Sequence, residues 1–390
     1  MAARFGSIPT ASTRNILKMS IEQLFFELLR VSIGVSGYLS KTPTNEEWKA
    51  LYDMAKKQSL VGVCFAGVQK LVGQLQAPEE MLYLTWMGMA AKIQQRNEVV
   101  NQQCVEVQKR LSTAGFRSCI FKGQSVATLY GSLAMLRQSG DIDIWIEGGR
   151  KRVIELVQKI APTKEIRETH AQLTIFQDTE VEAHYRPGLI RDAFRNKKLQ
   201  AFFASCEEEC FNNSINLSNH SNTSNHSVSL TIVAPTQRFN AVHQMLHIYH
   251  HLFDGGIGLR QVMDYYFVLH HLPSDETEEV MKMLKSLGVG RFASALMHVL
   301  HEVFGLDRNL MLCEPDEQDG AFLLDEIIQA GNFGHYDERN KKFNMQSYWQ
   351  NFFGIIGRNL SYVRFAPWDW LMSPLWRVYH FAWRKWNGYI

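Results

Sequence analysis

The chain has 390 residues and a mass of 44.9 kDa, and its 41 lysines and arginines nearly balance its 39 aspartates and glutamates. A formal charge of +2 excludes a polybasic nucleic-acid coat, and we expect no sequence-specific nucleic-acid partner. With 46% hydrophobic and 21% charged residues, the composition is that of a folded protein and excludes a disordered one.

Three features of the sequence predict a cytoplasmic protein. The six cysteines form no Cys-x-x-Cys pair and are too sparse for a disulfide scaffold. The first residues lack the apolar run of a secretory signal. No stretch reaches the ~20 consecutive apolar residues that span a bilayer.

Residues 1–110 predict a helical N-terminal region. Apolar residues recur at three- and four-residue steps in successive segments between Ile21 and about Arg110, which is the periodicity of amphipathic helices. Either Thr44 or Asn45 can cap one of these helices, because two glutamates follow in its first turn. Nothing in this region indicates chemistry of its own.

Residues 111–234 interleave predicted strands and helices, which indicates an α+β core. The predicted elements are a strand at 116–121, a turn entering a helix at 122–131, a strand at 141–146, a helix at 149–161, and strands at about 172–177 and 180–186. An Asn- and Ser-rich stretch at 211–229 then predicts a loop or an exposed hairpin.

Residues 235–390 return to helical periodicity and end in an aromatic, basic tail. Between residues 341 and 390 there are seven basic residues against one acidic residue. Trp376, Tyr379, Trp383 and Trp386 follow helical spacing, so one interpretation is a helix that binds a membrane surface or an anionic partner. The alternative is that the aromatic side chains pack onto the protein while the arginines stay in solvent.

The strand at 141–146 carries the most informative residues of the chain. Alternation places Asp141 and Asp143 on one face of this strand, about 7 Å apart, and its isoleucines on the other. These carboxylates repel each other unless a cation lies between them, and Mg²⁺ prefers such ligands, with Mn²⁺ as an alternative. The strand at 180–186 offers a third carboxylate, Glu182, which lies in mid-strand and shares a face with His184.

The turn before this strand supplies candidates for nucleotide binding. Gly123 lets the backbone approach a triphosphate, and Ser125 at the start of the next helix can offer its hydroxyl and N–H groups. Lys122 is either a phosphate ligand or a surface residue at a strand end. Arg137 either contacts the nucleotide or counters the charge of the two aspartates, and His184 is a further candidate for nucleotide contact.

These motifs resemble those of the DNA polymerase β-like nucleotidyltransferase superfamily, and more narrowly those of a bacterial family of uncharacterised nucleotidyltransferases. The resemblance covers roughly residues 46–270. It rests on Lys122-Gly123, Tyr130, Arg137, Gly140-Asp141-Ile142-Asp143, Glu182-Ala183-His184-Tyr185, His247 or His250, and Arg260 with Asp264. The sequence departs from the superfamily pattern twice, since Gln124 separates Gly123 from Ser125 and the third carboxylate is a glutamate.

The resemblance implies a polymerase β-like core flanked by helical regions, and Mg²⁺-dependent transfer of a nucleoside monophosphate from an NTP to a hydroxyl. Asp141 and Asp143 would bind two ions, and Glu182 would bind the ion that activates the acceptor. A small molecule, a saccharide or a protein side chain would fit as the acceptor. Such folds also serve as non-catalytic modules that bind a nucleotide or a partner, and this alternative stays open.

Four histidines suggest a separate hypothesis. His243, His247, His250 and His251 fall on one face of a predicted helix, and a His-x-x-x-His pair can hold zinc. No glutamate follows His243 or His247 as a metalloprotease would require. We therefore expect these histidines to lie in the core or between domains.

Overall fold

The computed structural model describes residues 11–74, 76–217, 230–334, 336, 357, 359–365 and 367–389. The described helices are α1 (Ala11–Ile33), α2 (Asn45–Lys57), α3 (Val61–Val72), α4 (Glu80–Thr113), α5 (Gly123–Ala127), α6 (Gly149–Ile160), α7 (Ala193–Asn212), α8 (Gln237–Asp254), α9 (Leu259–His271), α10 (Thr277–Ser286), α11 (Gly290–Phe304), α12 (Glu317–Ala330) and α13 (Pro367–Trp386). The strands are β1 (Ser118–Phe121), β2 (Ile142–Ile146), β3 (His170–Gln172), β4 (Val181–His184), β5 (Ser214–Leu217) and β6 (Leu230–Val233). These elements confirm the predicted α+β fold. Among the described helices, none combines the length and apolar character that crossing a membrane requires.

The four-stranded sheet brings the two acidic strands side by side at its centre. Its order is β1-β2-β4-β3, with β2 and β4 parallel and the two outer pairs antiparallel. A parallel strand pair is normally covered on both faces, and β2 is buried along its whole length. Strands β5 and β6 form a separate antiparallel pair.

Hydrophobic clusters lie on opposite faces of this sheet. On one face, Ile142, Ile144 and Ile146 pack with β4, α6 and the second half of α4, and full burial of each isoleucine contributes about 1.5–3 kcal/mol. On the other face, Phe121 and Trp145 join a larger cluster that includes α1–α3 and α8–α12. Period-two alternation therefore turns the polar residues of β2 and β4 toward the helices of the larger cluster.

The N-terminal helices pack against the C-terminal helices across that larger cluster. Helix α1 contacts α3 and α11, and α3 lies so close to the segment before β2 that a β-carbon at Gly62 would clash with the carbonyl oxygen of Leu136. Thr44 and Glu47 form a capping box at the start of α2, which confirms one of the two predicted caps. The division into three domains stays a prediction.

The predicted strand at 172–177 was wrong in position. The strand covers His170–Gln172, because the chain turns immediately after it and the N–H of Ile175 donates to the carbonyl of Leu173. Such a three-residue turn ends the extended conformation. The error matters because it left His170 outside the sheet.

Helix α7 was not predicted. It also takes the first two residues of the stretch that was expected to form a loop or hairpin at 211–229. The pairing of β5 with β6 confirms the hairpin on either side of residues 218–229, which lie outside the described residues.

Candidate active site

Three carboxylates converge where β2 and β4 lie in parallel. Asp143 of β2 is directly opposite Glu182 of β4, and Asp141 immediately precedes β2. One oxygen from each of these residues lies within 4.8 Å of the others. The predicted carboxylates are therefore brought together in an all-oxygen donor set, which fits the preference of Mg²⁺.

The carboxyl groups of Asp141 and Asp143 have different proton affinities. The negative charge of Asp143, together with burial, raises the pKa of Asp141 to about 6. Burial opposes the ionisation of Asp143, but Lys122 and His184 hold its pKa well below the usual range. A cation bound to this cluster would offset the charge of Asp143 and so favour the ionised form of Asp141.

Lys122 is held in a strained conformation beside Asp143. Its φ of 58° and ψ of −143° lie in a region that non-glycine residues rarely adopt, at a cost of about 1–3 kcal/mol. The Nζ atom lies 2.6 Å from Oδ1 of Asp143, and the side chain is only 15% exposed. Burial disfavours the charge on Lys122, but the carboxylates of Asp143 and Glu182 outweigh it and raise the pKa. The interpretation of Lys122 as a surface residue was wrong, and its contact with phosphate stays a prediction.

The residues after Lys122 face inward. The hydroxyl of Ser125 donates to the carbonyl of Lys122 at 3.0 Å and is buried, and the amide of Gln124 donates to Asn101 at 2.5 Å. A β-carbon at Gly123 would lie 3.6 Å from the carbonyl oxygen of Asp141, so the turn packs against the acidic cluster. The roles of Gly123 and Ser125 in nucleotide binding stay predictions, although the existing bond of Ser125 does not favour its role.

Arg137 belongs to a buried cluster of its own. Its guanidinium forms two hydrogen bonds with Asp264, at 2.6 and 2.8 Å, and the hydroxyl of Tyr130 donates to the same carboxylate at 2.7 Å. The interpretation of Arg137 as the counter-charge of the aspartates was wrong, because Lys122 fills that position for Asp143. Nucleotide contact by Arg137 stays a prediction, and its 5% exposure does not favour it.

Two histidines complete the acidic cluster, and only one of them was predicted. Nε2 of His184 lies 3.0 Å from Oδ1 of Asp143 and 3.1 Å from Oε2 of Glu182. Nε2 of His170 lies 3.4 Å from Oε1 of Glu182. His170 was missed because the strand was expected to begin at 172. In the antiparallel β3–β4 register, His170 is directly opposite His184.

The cluster opens into two cavities. A cleft of about 1360 Å³ extends from His170 and Glu182, along the loop after β3, to the inner face of α13. A smaller cavity of about 310 Å³ reaches Lys122 and His184 from the side of α8. Of the three carboxylates, Glu182 lines both cavities, whereas Lys122 lines only the smaller one.

The four histidines of α8 make packing and hydrogen-bond contacts and do not converge on a common metal-binding position. Nε2 of His243 lies 3.0 Å from the carbonyl of Pro187, to which it donates. The rings of His247 and His251 meet edge to face at 4.3 Å. Within the described residues, no cluster of three convergent metal-ligand atoms includes a histidine of α8. The expected packing role is favoured over zinc binding.

Helix α13 of the aromatic tail has one side packed on the protein and another side in solvent, so each of the two interpretations of the tail applies to part of it. Trp376 and Trp383 face the protein, and the guanidinium of Arg150 lies 4.1 Å from the ring centroid of Trp383. Tyr379 and Trp386 face solvent, at 55% and 92% exposure. The tail therefore packs through one side and presents aromatic residues on the other.

The arginines of this tail are less exposed than expected. Arg377 donates to Asp254 at 3.2 Å. Arg384 lies 3.8 Å from Glu165, and its side chain is 13% exposed. The expectation that these arginines stay in solvent was wrong, because they face the cleft. Three further basic residues of the tail lie outside the described residues: Lys341, Lys342 and Arg358.

Comparison with known proteins assigns the chain to a family. No curated protein and no solved structure matches the chain. The family described as uncharacterised nucleotidyltransferase matches residues 44–305, a range that contains the whole sheet and its acidic cluster. Since this match covers more than half of the 390 residues, the chain belongs to the family of uncharacterised nucleotidyltransferases.

Proposed function

We propose that the chain is a Mg²⁺-dependent nucleotidyltransferase that moves a nucleoside monophosphate from an NTP to a hydroxyl group. The acceptor oxygen forms a bond to the α-phosphorus, and the bond from that phosphorus to the bridging oxygen of the β-phosphate breaks. Pyrophosphate leaves with the bonding electrons, and the hydroxyl proton passes to a base or to water. The acceptor is a small molecule, a saccharide or a protein side chain.

The convergence of Asp141, Asp143 and Glu182 is the observation that carries this proposal. Asp141 and Asp143 would hold the ions, and Glu182 would complete the set for one of them. Bound Mg²⁺ would supply positive charge to the phosphate oxygens, and Mn²⁺ accepts the same ligands.

The surrounding side chains fix the acidic cluster in place. Lys122 and His184 both contact Oδ1 of Asp143, and His184 also contacts Glu182. Charges that are already positioned need little reorganisation during the reaction, which is how enzymes stabilise developing charge. The adjoining cleft, at about 1360 Å³, exceeds the ~300–1000 Å³ of most small-molecule pockets, so it has room for an NTP and an acceptor together.

The test measures pyrophosphate release from each NTP with Mg²⁺, with and without pools of candidate acceptors. Asp143→Asn should reduce the rate by about 10²-fold or more, because one carboxylate of the cluster loses its charge. Asp275→Asn is the matched control, since Asp275 is exposed between α9 and α10. Equal rates for wild type and Asp143→Asn would refute the catalytic assignment.

A specific contact favours a second candidate, a non-catalytic module that binds a nucleotide or a partner. The ammonium of Lys122 already lies 2.6 Å from Asp143, so a protein cation partly neutralises the cluster that a metal ion would have to enter. Titration calorimetry separates the candidates: NTP binding that requires Mg²⁺ but never yields pyrophosphate would support the binding module.

A further inference from the structure

We propose that His170, Glu182 and His184 form a second metal site, which takes a transition-metal ion of the Zn²⁺ class. One ligand atom from each of these residues lies within 4.8 Å of the others. The site shares Glu182 with the proposed Mg²⁺ site, so this inference deepens the proposed function and rests on it for its catalytic meaning. The binding of the ion can be measured without any transfer activity.

The donor set distinguishes this site from the carboxylate cluster. Imidazole nitrogen suits Zn²⁺, Co²⁺ and related ions, whereas Mg²⁺ selects oxygen. In a tetrahedral zinc site with bonds near 2.1 Å, neighbouring ligand atoms are roughly 3.4 Å apart. Nε2 of His170 and Nε2 of His184 already lie 3.4 and 3.1 Å from the two oxygens of Glu182. Each histidine nitrogen therefore lies near zinc-site spacing from an oxygen of Glu182.

The second nitrogen of each histidine ring is also engaged, as in established metal sites. Nδ1 of His184 lies 3.2 Å from the carbonyl oxygen of Arg186. Because a carbonyl only accepts, Nδ1 donates. Nε2 donates to the carboxylates of Asp143 and Glu182 while no metal is bound, at 3.0 and 3.1 Å, and a metal ion would displace this Nε2 proton. Nδ1 of His170 lies 3.2 Å from the hydroxyl of Thr169. Both rings are thus oriented with Nε2 toward the shared carboxylate.

The backbone makes this arrangement rigid, and the cleft keeps it accessible. His170 and His184 are directly opposite each other in the β3–β4 pair, with ring centroids 4.8 Å apart. The side chains of His170 and Glu182 are 19% and 24% exposed, and both line the large cleft. A bound ion would have a coordination position open to a substrate oxygen or water, as catalytic zinc sites do.

The test titrates CoCl₂ into the full-length, metal-stripped protein in excess Mg²⁺, follows the visible absorption of Co²⁺, and then displaces it with Zn²⁺. We expect one equivalent of Co²⁺ in wild type and at least a 100-fold loss of affinity in His170→Gln. His170 is half-buried at the edge strand, so this variant should fold, which a thermal melt checks. Thr169→Val should weaken binding by about 10-fold, because the ring loses its orienting contact.

Two controls make the result specific. His271→Gln replaces an exposed histidine of α9 and should bind Co²⁺ as wild type does. Asp141→Asn should abolish the proposed transfer activity but keep the Co²⁺ spectrum, which separates failure of one proposal from failure of the other. Equal Co²⁺ affinity in wild type and His170→Gln, absence of stoichiometric binding, or loss of the spectrum in Asp141→Asn would each overturn the second metal site.

Discussion

Replacing Asp264 by asparagine removes the charge that pairs with the buried guanidinium of Arg137. The side chains of Arg137 and Asp264 are only 5% and 7% exposed. Arg260 lies in α9, as Asp264 does, and is also buried near this pair. Burial, and next the positive charge of Arg137, lower the pKa of Arg260 to about 10. The asparagine variant would therefore leave two buried cations without their shared carboxylate.

The expected loss is about 3–5 kcal/mol of unfolding free energy, because removing one partner of a buried pair leaves an uncompensated charge. That is a large part of the ~5–15 kcal/mol by which a typical domain is stable. The double variant Arg137→Met/Asp264→Leu should lose less than Asp264→Asn alone, since it leaves one buried cation, Arg260, rather than two without that carboxylate.

Urea unfolding of the single and double variants measures both values. Glu278→Gln is the matched control, because the Glu278–Lys282 pair is exposed on both sides and should leave the midpoint unchanged. Wild-type stability in Asp264→Asn would refute the structural role of the pair. Lost NTP binding in that stable variant would instead support nucleotide contact by Arg137.

Three further predictions concern packing and pH. Gly62→Ala should lower the free energy of unfolding by about 1–3 kcal/mol, because its β-carbon would clash with a backbone oxygen. Gly88→Ala, at an open position of α4, should raise it by about 0.5–1 kcal/mol. Urea midpoints that shift in the same direction in both variants would contradict this. Burial lowers the pKa of His243 to about 3, so the unfolded chain takes up a proton below about pH 6.5 that the folded chain refuses. His243 should therefore not affect the free energy of unfolding above that pH, and below it should lower that free energy by up to about 1.4 kcal/mol per pH unit. His243→Phe should show a fall with acidification that is shallower by that amount, and equal slopes in the two proteins would count against the prediction. Trp383→Ala should weaken the packing of α13 by about 1–2 kcal/mol and speed hydrogen exchange in this helix. Trp386→Ala should do neither, because the side chain of Trp386 is exposed. Equal exchange rates in the two variants would refute the contact between Trp383 and Arg150.

The sequence predicts the acidic strands well because their signals are local. Alternation in β2 and β4 places Asp143 and Glu182 on a common face, and a parallel pairing makes them neighbours. His170 could also have been found, had the strand been started two residues earlier. The partner of Arg137 could not be derived from spacing, because 127 positions separate it from Asp264.

Helix α7 shows a different kind of miss, because a usable signal was present. Its buried residues Leu199, Phe202, Phe203, Cys206 and Cys210 recur at helical spacing. One pair of lysines and a run of three glutamates make the segment as a whole polar, which hides this apolar stripe. No local sequence pattern indicates that Arg377 and Arg384 face the protein, since their acidic partners, Asp254 and Glu165, are distant in the chain.

Helix α4 has a mechanical consequence for the whole molecule. Its 34 residues extend over about 51 Å. Trp86 in its first half belongs to the larger hydrophobic cluster, and Val107 in its second half belongs to the cluster behind the sheet. One continuous helix therefore takes part in both clusters, so we expect loosening of one cluster to destabilise the other through this helix. The boundary predicted near residue 110 falls inside this helix, which couples the melting of the helical region to that of the four-stranded sheet.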